Sequence, residues 1–142
     1  MEIREIMTSP AVTVGRDEPV SAAVRLLRRY NIGALPVCDA AGRLRGMVTD
    51  RDVALRCFDE EGRGEKLRLE EIMSRRVVSV RPGDSVKKAA ELMARERVRR
   101  LPVTEGDRVV GMVSLCDLAR REACRSECAA ALQGISANIS AL

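Results

Sequence analysis

A seven-residue stretch that occurs twice restricts the possible folds of this chain more than any other feature. Residues 46–52 read GMVTDRD and residues 111–117 read GMVSLCD, so each copy has a glycine, two apolar residues, a hydroxyl and, three positions later, an aspartate. A hydroxyl followed at that distance by an acid is typical of a helix N-terminus, where the two side chains cap backbone amides. Each copy therefore predicts a helix that begins at its hydroxyl.

The sequence around the two copies is repeated as well. At an offset of 66 positions, IMT at residues 6–8 falls on IMS at 72–74, and LPV at 35–37 falls on LPV at 101–103. Dropping one residue in a turn then aligns the two seven-residue copies. Because the matching order is kept over about fifty residues, the chain is an internal repeat.

Both repeats show the same alternation of strand and helix signals. The valines of residues 12–14, like their counterparts in the second repeat, form a short β-branched segment. Apolar residues then recur at i, i+3, i+4 and i+7 from Val20 and from Val86, which predicts two amphipathic helices. Pro19 suits the first position of one helix, and Asp84 suits the N-cap of the other. Further apolar strands are predicted at residues 35–38, 44–49, 101–104 and 109–114.

The size of one repeat decides how the two are arranged, because a single unit of this length buries too little apolar surface to be stable alone. We therefore predict an α/β fold in which two pseudo-symmetric β-α-β-β-α repeats pack sheet to sheet. The predicted boundaries are residues 1–58 for repeat 1, 59–66 for a charged linker, 67–122 for repeat 2, and 123–142 for an extension of the last helix and a tail, with Gly134 as the helix stop.

Composition narrows the possible functions. No apolar run approaches the roughly 20 residues of a membrane span, and the net charge of +4 comes from arginines interleaved with acids, which argues against a nucleic-acid-binding face. Tyr30 and Phe58 are the only aromatic residues, too few to form a platform on which successive nucleic-acid bases could stack. Histidine, the commonest general base and metal ligand, is absent, so we predict neither an enzyme nor a metal site. An odd number of cysteines, five, favours reduced thiols and a cytoplasmic location.

The combined pattern resembles a tandem pair of CBS domains, named after cystathionine β-synthase and also called a Bateman module. The resemblance rests on the IMT and IMS openings, the LPV strands and the GMV-[TS]-x-x-D endings, and it covers about residues 3–122. It implies a module that binds adenosine-containing ligands such as AMP, ADP, ATP or S-adenosylmethionine in clefts between the repeats. It further implies a homodimer with no catalytic activity and no required cofactor, which regulates an unidentified partner protein.

One predicted nucleotide-binding site is built on Asp117, whose carboxylate would accept hydrogen bonds from the ribose hydroxyls. Ser114 and the unpaired amides of the helix that it begins would meet the phosphate or the ribose. By its position in the family pattern, Arg100 would bind the phosphate, with Arg99 beside it. The purine would lie against Val12, Ile32 and Gly33 of repeat 1, and the further lining candidates are Met112 and Thr8.

The mirror site is built on Asp52 and Thr49. Repeat 1 has Gly-Ala at residues 33–34 where repeat 2 has two arginines, so a phosphate here would depend on Arg51 or Arg56. The other site is therefore predicted to be the stronger one for phosphorylated ligands. The remaining residues of the mirror site are Val78, Val98, Met47 and Ser74.

Other interpretations of the same residues stay open. The two hydroxyl–acid pairs would serve as helix caps alone in a structural or interaction domain whose clefts are empty. The arginines of residues 97–100 would then form a solvated basic turn. Cys116 lies inside the second copy, and Cys124 and Cys128 lie one helical turn apart, which is compatible with a thiol-dependent or metal-dependent sensor.

Overall fold

A computed structural model describes residues 1–58 and 64–137, and these residues form a mixed α/β structure of two compact units. The repeat-1 unit consists of the described residues of Ala11–Val77 together with Gly106–Val109. The repeat-2 unit consists of Met1–Pro10, Val78–Glu105 and the described residues from Val110 onward. Most of the predicted linker, residues 59–63, and the end of the predicted tail, residues 138–142, lie outside the described residues.

The repeat-1 unit is built on a three-stranded sheet. The first strand pairs in parallel with the second, and the second pairs antiparallel with the third, with Leu35 opposite Val48. The middle strand is buried along its whole length, which explains its apolar sequence ALPVC. In chain order the elements are β1 Val14–Gly15, α1 Val20–Tyr30, β2 Ala34–Cys38, β3 Leu44–Thr49, α2 Asp50–Arg56, a 3-10 turn Gly64–Lys66 and α3 Leu69–Ile72.

The repeat-2 unit has a matching arrangement, with a two-stranded sheet that Val80 extends by pairing in parallel with Val103. It also contains the first ten residues of the chain, because Ile3 and Ile6 are buried in its core. In chain order the elements are a 3-10 turn Ile3–Glu5, α4 Val86–Glu96, β4 Arg100–Glu105, β5 Arg108–Ser114, α5 Leu115–Ala119, a 3-10 turn Glu122–Cys124 and α6 Arg125–Ser136.

Each unit has its own apolar core, formed by the residues that follow the predicted periodicities. Fully buried side chains of the repeat-1 unit include Leu35, Val37, Val48, Leu69 and Ile72. In the repeat-2 unit they include Ile3, Met93, Leu101, Val113 and Leu118. The predicted strands at residues 35–38, 44–49, 101–104 and 109–114 are thus found to within one residue. The segment at residues 12–14 forms a strand only at Val14–Gly15, and its counterpart contributes only the bridge of Val80.

The predicted helix starts are displaced by one residue. Helix α1 begins at Val20, and Pro19 occupies the N-cap position in an extended conformation instead of the first helical position. Helix α4 is capped by Ser85, whose hydroxyl accepts a hydrogen bond from the Lys88 amide. Asp84, the predicted cap, instead accepts from the Arg81 amide in the preceding turn.

The end of the chain differs from the prediction. The last helix of repeat 2 is not extended: α5 ends at Ala119, and α6 is a separate helix. Gly134 is not a stop either, because it lies inside α6, where a Cβ atom would come 2.4 Å from the Cβ of Ala94. The glycine allows α6 to approach α4 closely, so the residue that suggests a helix end from sequence is a packing residue in the structure.

Within the part of the chain that the structure describes, none of the helices combines the length and the apolar composition that crossing a membrane requires.

Candidate functional site

The two seven-residue copies form matching capping boxes at the starts of α2 and α5. In the first copy the Asp52 amide donates to Thr49 Oγ1 at 3.0 Å, and the Thr49 amide donates to Asp52 Oδ2 at 2.9 Å. In the second copy the Asp117 amide donates to Ser114 Oγ at 3.2 Å, and Asp117 Oδ2 accepts from the Ser114 amide at 2.7 Å. The cap predicted from the sequence is therefore present in both copies.

Each capping box holds its aspartate through one carboxylate oxygen and leaves the other oxygen outside the cap. Oδ2 of both aspartates is used in the cap, whereas Oδ1 accepts no hydrogen bond from a described residue. Oδ1 of Asp52 has only a long ion pair with Arg56 at 3.8 Å, and Oδ1 of Asp117 has one with Arg120 at 3.6 Å. Each carboxylate side chain is 13% exposed, so this oxygen is held in a defined position and is still reachable from solvent.

The backbone amides of the first helical turn are mostly occupied. At α2 the Asp50 amide donates to the Gly33 carbonyl at 3.1 Å, and the Arg51 amide donates to the Asp50 side chain at 2.8 Å. At α5 the Leu115 amide donates to the Arg99 carbonyl at 2.8 Å. Of the α5 amides predicted to meet the phosphate or the ribose, those of Leu115 and Asp117 are therefore occupied, and for the Cys116 amide the prediction stays a prediction. A phosphate at α2 would have to be bound by side chains, because the amides of residues 50–52 are all occupied.

The glycine of each seven-residue copy allows the backbone of an IMT or IMS segment to approach closely. Gly111 lies against residues 7–8, and a Cβ on it would come 2.8 Å from the Thr8 carbonyl oxygen. Thr8 pairs with Met112 through two backbone hydrogen bonds of 2.8 and 2.9 Å. The IMT segment at residues 6–8 thereby lies beside the second seven-residue copy, residues 111–117.

The first copy has the same arrangement. A Cβ on Gly46 would come 2.7 Å from the Ser74 carbonyl oxygen, and Ser74 pairs with Met47 through backbone hydrogen bonds of 2.9 and 3.0 Å. The four lining candidates Thr8, Met112, Ser74 and Met47 are thus brought to the two capping boxes in pairs.

The arginines around the two boxes differ in how far they are committed. Arg99 and Arg100 have no side-chain hydrogen bond or ion pair with a described residue, and Arg100 is half-buried at the start of β4. Arg51 likewise has no side-chain partner among the described residues. Arg56, in contrast, donates to the Ile72 carbonyl at 2.8 Å and faces Asp52. The box at Asp117 therefore has two arginines without a side-chain partner among the described residues, Arg99 and Arg100, in the segment that hydrogen-bonds to the start of α5. The box at Asp52 has one such arginine, Arg51.

The apolar candidates are divided between the units. Val12, Ile32 and Gly33 belong to the repeat-1 unit, where Val12 packs on the core and Ile32 is 37% exposed. Val78 and Val98 belong to the repeat-2 unit and pack on its core. Of these residues, Gly33 contacts a capping box, because its carbonyl accepts from the Asp50 amide at the start of α2. The cross-repeat pairing of apolar residues with ribose-binding residues stays a prediction.

Arg120 was missed as a site residue by the sequence reasoning, and so was the ion pair of Arg56. Both follow the aspartate of their copy by one helical turn and lie on the same helix face as its carboxylate. The signal was present in the sequence as an acid followed by a base at i+3 or i+4.

The cysteines differ in their surroundings. Cys38, Cys57 and Cys124 are buried, Cys128 is half-buried and Cys116 is exposed. Burial raises the pKa of the Cys124 thiol, and the nearby Glu127 raises it further, which disfavours the thiolate that metal binding and redox chemistry need. Among residues 1–58 and 64–137, no three potential metal-ligating side chains are clustered together.

These elements define a tandem α/β repeat protein with a capped, partly exposed carboxylate in each repeat. The sequence profile of the CBS domain matches residues 3–58 and 69–123. The chain belongs to the CBS domain family and carries a tandem pair of these domains, as the resemblance implied.

Known proteins agree with this assignment. The CBS domain-containing protein YhcV of Bacillus subtilis is 37% identical over 134 residues, which cover 94% of each chain. The crystal structure of the CBS domain pair of protein MJ0100, in complex with 5'-methylthioadenosine and S-adenosyl-L-methionine, is 28% identical with a TM-score of 0.75 and covers 84% of this chain and 94% of that chain.

Two further structures differ in what they contain. CBSX2 in complex with AMP is 25% identical, with a TM-score of 0.74 and coverage of 84% of this chain and 93% of that chain. Hypoxic Response Protein I, with two coordinated zinc ions, is 32% identical, with a TM-score of 0.72 and coverage of 85% and 98%. Of these three solved structures, two hold adenosine compounds and one holds zinc ions.

Proposed function

We propose that this chain is a non-catalytic regulatory module that binds an adenosine-containing nucleotide and signals its level to another protein. The observation that carries the proposal is the carboxylate of Asp117, which the capping box holds by Oδ2 while Oδ1 is left with only a long ion pair. Two neighbouring ribose hydroxyls need a hydrogen-bond acceptor that is fixed in position and reachable from solvent. Asp117 Oδ1 meets both requirements. CBS pairs that resemble this chain hold S-adenosyl-L-methionine and AMP.

The arginines favour a phosphorylated ligand at this box. Arg99 and Arg100 have no side-chain partner among the described residues, and the Arg99 carbonyl is hydrogen-bonded to the first amide of α5. A guanidinium binds a phosphate through two parallel hydrogen bonds, and it does not depend on the α5 amides, two of which are already occupied. Because the box at Asp52 has one uncommitted arginine, Arg51, and has Gly33 in the position that Arg99 occupies beside the other box, we propose that it binds phosphorylated ligands more weakly.

The purine would be held by aliphatic side chains. Tyr30 and Phe58 are the only aromatic residues, and neither belongs to the predicted site. Val12 and Ile32 would contact the purine of a nucleotide whose ribose is bound to Asp117, and Val78 and Val98 would do so at the mirror site. A ligand that binds residues of both repeats stabilises one of their arrangements, and this differential affinity is the proposed signal.

The proposal includes a homodimer in the cytoplasm and a regulated protein of unknown identity. Exposed apolar side chains support an association surface on the repeat-1 unit, where Val24, Tyr30, Leu55 and Phe58 are 38 to 83% exposed. No observation on the described residues favours the zinc of Hypoxic Response Protein I as the ligand of this chain, because its cysteines and carboxylates do not gather in a cluster of three.

A thermal-shift panel tests the proposal. Wild type and the double variant Asp52→Ala/Asp117→Ala are melted with AMP, ADP, ATP, S-adenosylmethionine and NADH. A true ligand at about 100 times its Kd adds roughly 2.7 kcal/mol to the stability of the wild type, and it leaves the double variant unshifted. If no compound raises Tm, or if the shift survives in the double variant, the chain is a structural domain or the ribose assignment is wrong.

A further inference from the structure

Apart from the capping boxes, the tips of the two β-hairpins carry an unexplained group of arginines. The repeat-1 unit contains the turn before β3 and the residues Gly106–Val109, which pair through a short antiparallel bridge between Arg43 and Arg108. The Leu44 amide donates to the Asp107 carbonyl at 2.8 Å. These two arginines occupy equivalent positions in the two repeats, and the bridge places them directly opposite each other.

Two like charges directly opposite each other on paired strands are destabilising. Asp39 offsets only part of this charge, because its Oδ2 accepts from Arg43 Nε at 2.9 Å and from Arg45 Nε at 3.1 Å. Burial raises the pKa of Asp39, but hydrogen bonds from the backbone and side chain of Arg43, from Arg45 and from the Ala41 amide outweigh it and lower the pKa to about 2. Asp39 is therefore a permanent anion that is shared between two guanidinium groups.

The guanidinium groups of Arg43 and Arg108 have hydrogen-bond donors that no described residue uses, and they line a depression. Arg43 uses Nε for Asp39, which leaves its two Nη groups without a partner among the described residues. Arg108 has no side-chain partner among the described residues, and it lies over Gly42, where a Cβ would come 3.7 Å from its Nε. Together with Ala41 and Asp107, these two arginines line a shallow depression of about 460 Å³.

We propose that this depression, between Arg43 and Arg108, is a second binding site, separate from the capping boxes, for a phosphate group that is either free or esterified to a small metabolite. The planar Nη edge of each guanidinium matches two phosphate oxygens, and a dianion between the two arginines relieves their mutual repulsion. Ala41 and Gly42 leave the space open because neither has a long side chain. The site needs no adenosine and does not depend on the nucleotide-binding proposal.

The test is a titration in chloride buffer of constant ionic strength with two probes, inorganic phosphate and glycerol 3-phosphate. Binding is followed by calorimetry and by the ¹H–¹⁵N signals of the arginine Nε groups. We expect saturable binding of at least one probe with a Kd on the order of 1 mM and shifted signals of Arg43 and Arg108. Binding of both probes indicates a site for the phosphate group alone, and binding of only the ester indicates a phosphorylated metabolite.

Variants separate this site from a general salt effect. We expect Arg108→Gln to weaken phosphate binding at least about tenfold, and to leave Tm in phosphate-free buffer unchanged or higher because the opposed charges are gone. Arg45→Gln is the matched control, since Arg45 shares Asp39 but does not line the depression, and it should change Kd by less than about twofold. Absence of saturable binding, or equal losses in the two variants, would overturn the proposal.

Discussion

Asp117→Ala is expected to reduce the affinity for AMP at least about 100-fold, because hydrogen bonds to a charged group contribute roughly 1.5–3 kcal/mol each and the ribose would lose two of them. The loss appears as a failure of AMP to raise Tm at concentrations that saturate the wild type. The proposed ligand acts through Asp117 Oδ1, which is free of the cap, so removing this side chain removes the ribose contact directly.

The control for this prediction is Asp52→Ala. Both substitutions break a capping box of the same geometry, so both variants should lose about 1 kcal/mol of stability without ligand. Only Asp117→Ala should also abolish the main AMP response, since Arg99 and Arg100 accompany that box. Asp117→Asn keeps an acceptor for the cap and should fall between the two. Equal AMP responses in wild type and Asp117→Ala would contradict the ribose assignment.

Gly134→Leu is expected to lower the free energy of unfolding by about 2–4 kcal/mol, since overpacking alone typically costs about 1–3 kcal/mol. Even a Cβ at this position would come 2.4 Å from Ala94 Cβ and 2.7 Å from Ala94 Cα, so α6 must move away from α4. At an open helix position, replacing glycine by alanine stabilises by up to about 1 kcal/mol. Here the steric overlap outweighs that gain, and Gly134→Ala should also destabilise.

Thermal and urea unfolding of Gly134→Leu, Gly134→Ala and two further variants measure this effect. Gln133→Ala is the control, because the side chain is exposed on the same helix and the change should stay within about 0.5 kcal/mol. Ala94→Gly combined with Gly134→Ala should recover part of the loss, since the Cβ overlap is removed while the contact with the Ala94 backbone stays. An unchanged or higher Tm for Gly134→Ala would show that α6 is not closely packed on α4.

The elements of this fold could be predicted where local sequence determines them. The capping boxes at Thr49 and Ser114 depend on residues three positions apart, and the structure confirms both. Strand β2 is predicted to within one residue because its apolar run lies between Gly33 and the polar turn that begins at Asp39. Short-range patterns of this kind contain the whole interaction, so no knowledge of the tertiary fold is needed.

Features that depend on distant residues could not be predicted in the same way. The pairing of Thr8 with Met112 joins residues more than a hundred positions apart, and no local pattern indicates it. Gly134 carries the same sequence signal whether it ends a helix or allows a neighbour to approach, and only the position of Ala94 decides. The Asp50 amide of α2 is likewise occupied by the carbonyl of Gly33, a residue 17 positions earlier in the chain.

The central claim, that a phosphorylated adenosine compound binds beside α5, is tested most directly by calorimetric titration of AMP and adenosine into wild type and Arg100→Gln. The account predicts that AMP binds the wild type more tightly than adenosine does, and that Arg100→Gln weakens AMP by about 10- to 100-fold while adenosine changes by less than about threefold. Equal losses for the two ligands, or no binding of AMP to the wild type, would contradict it.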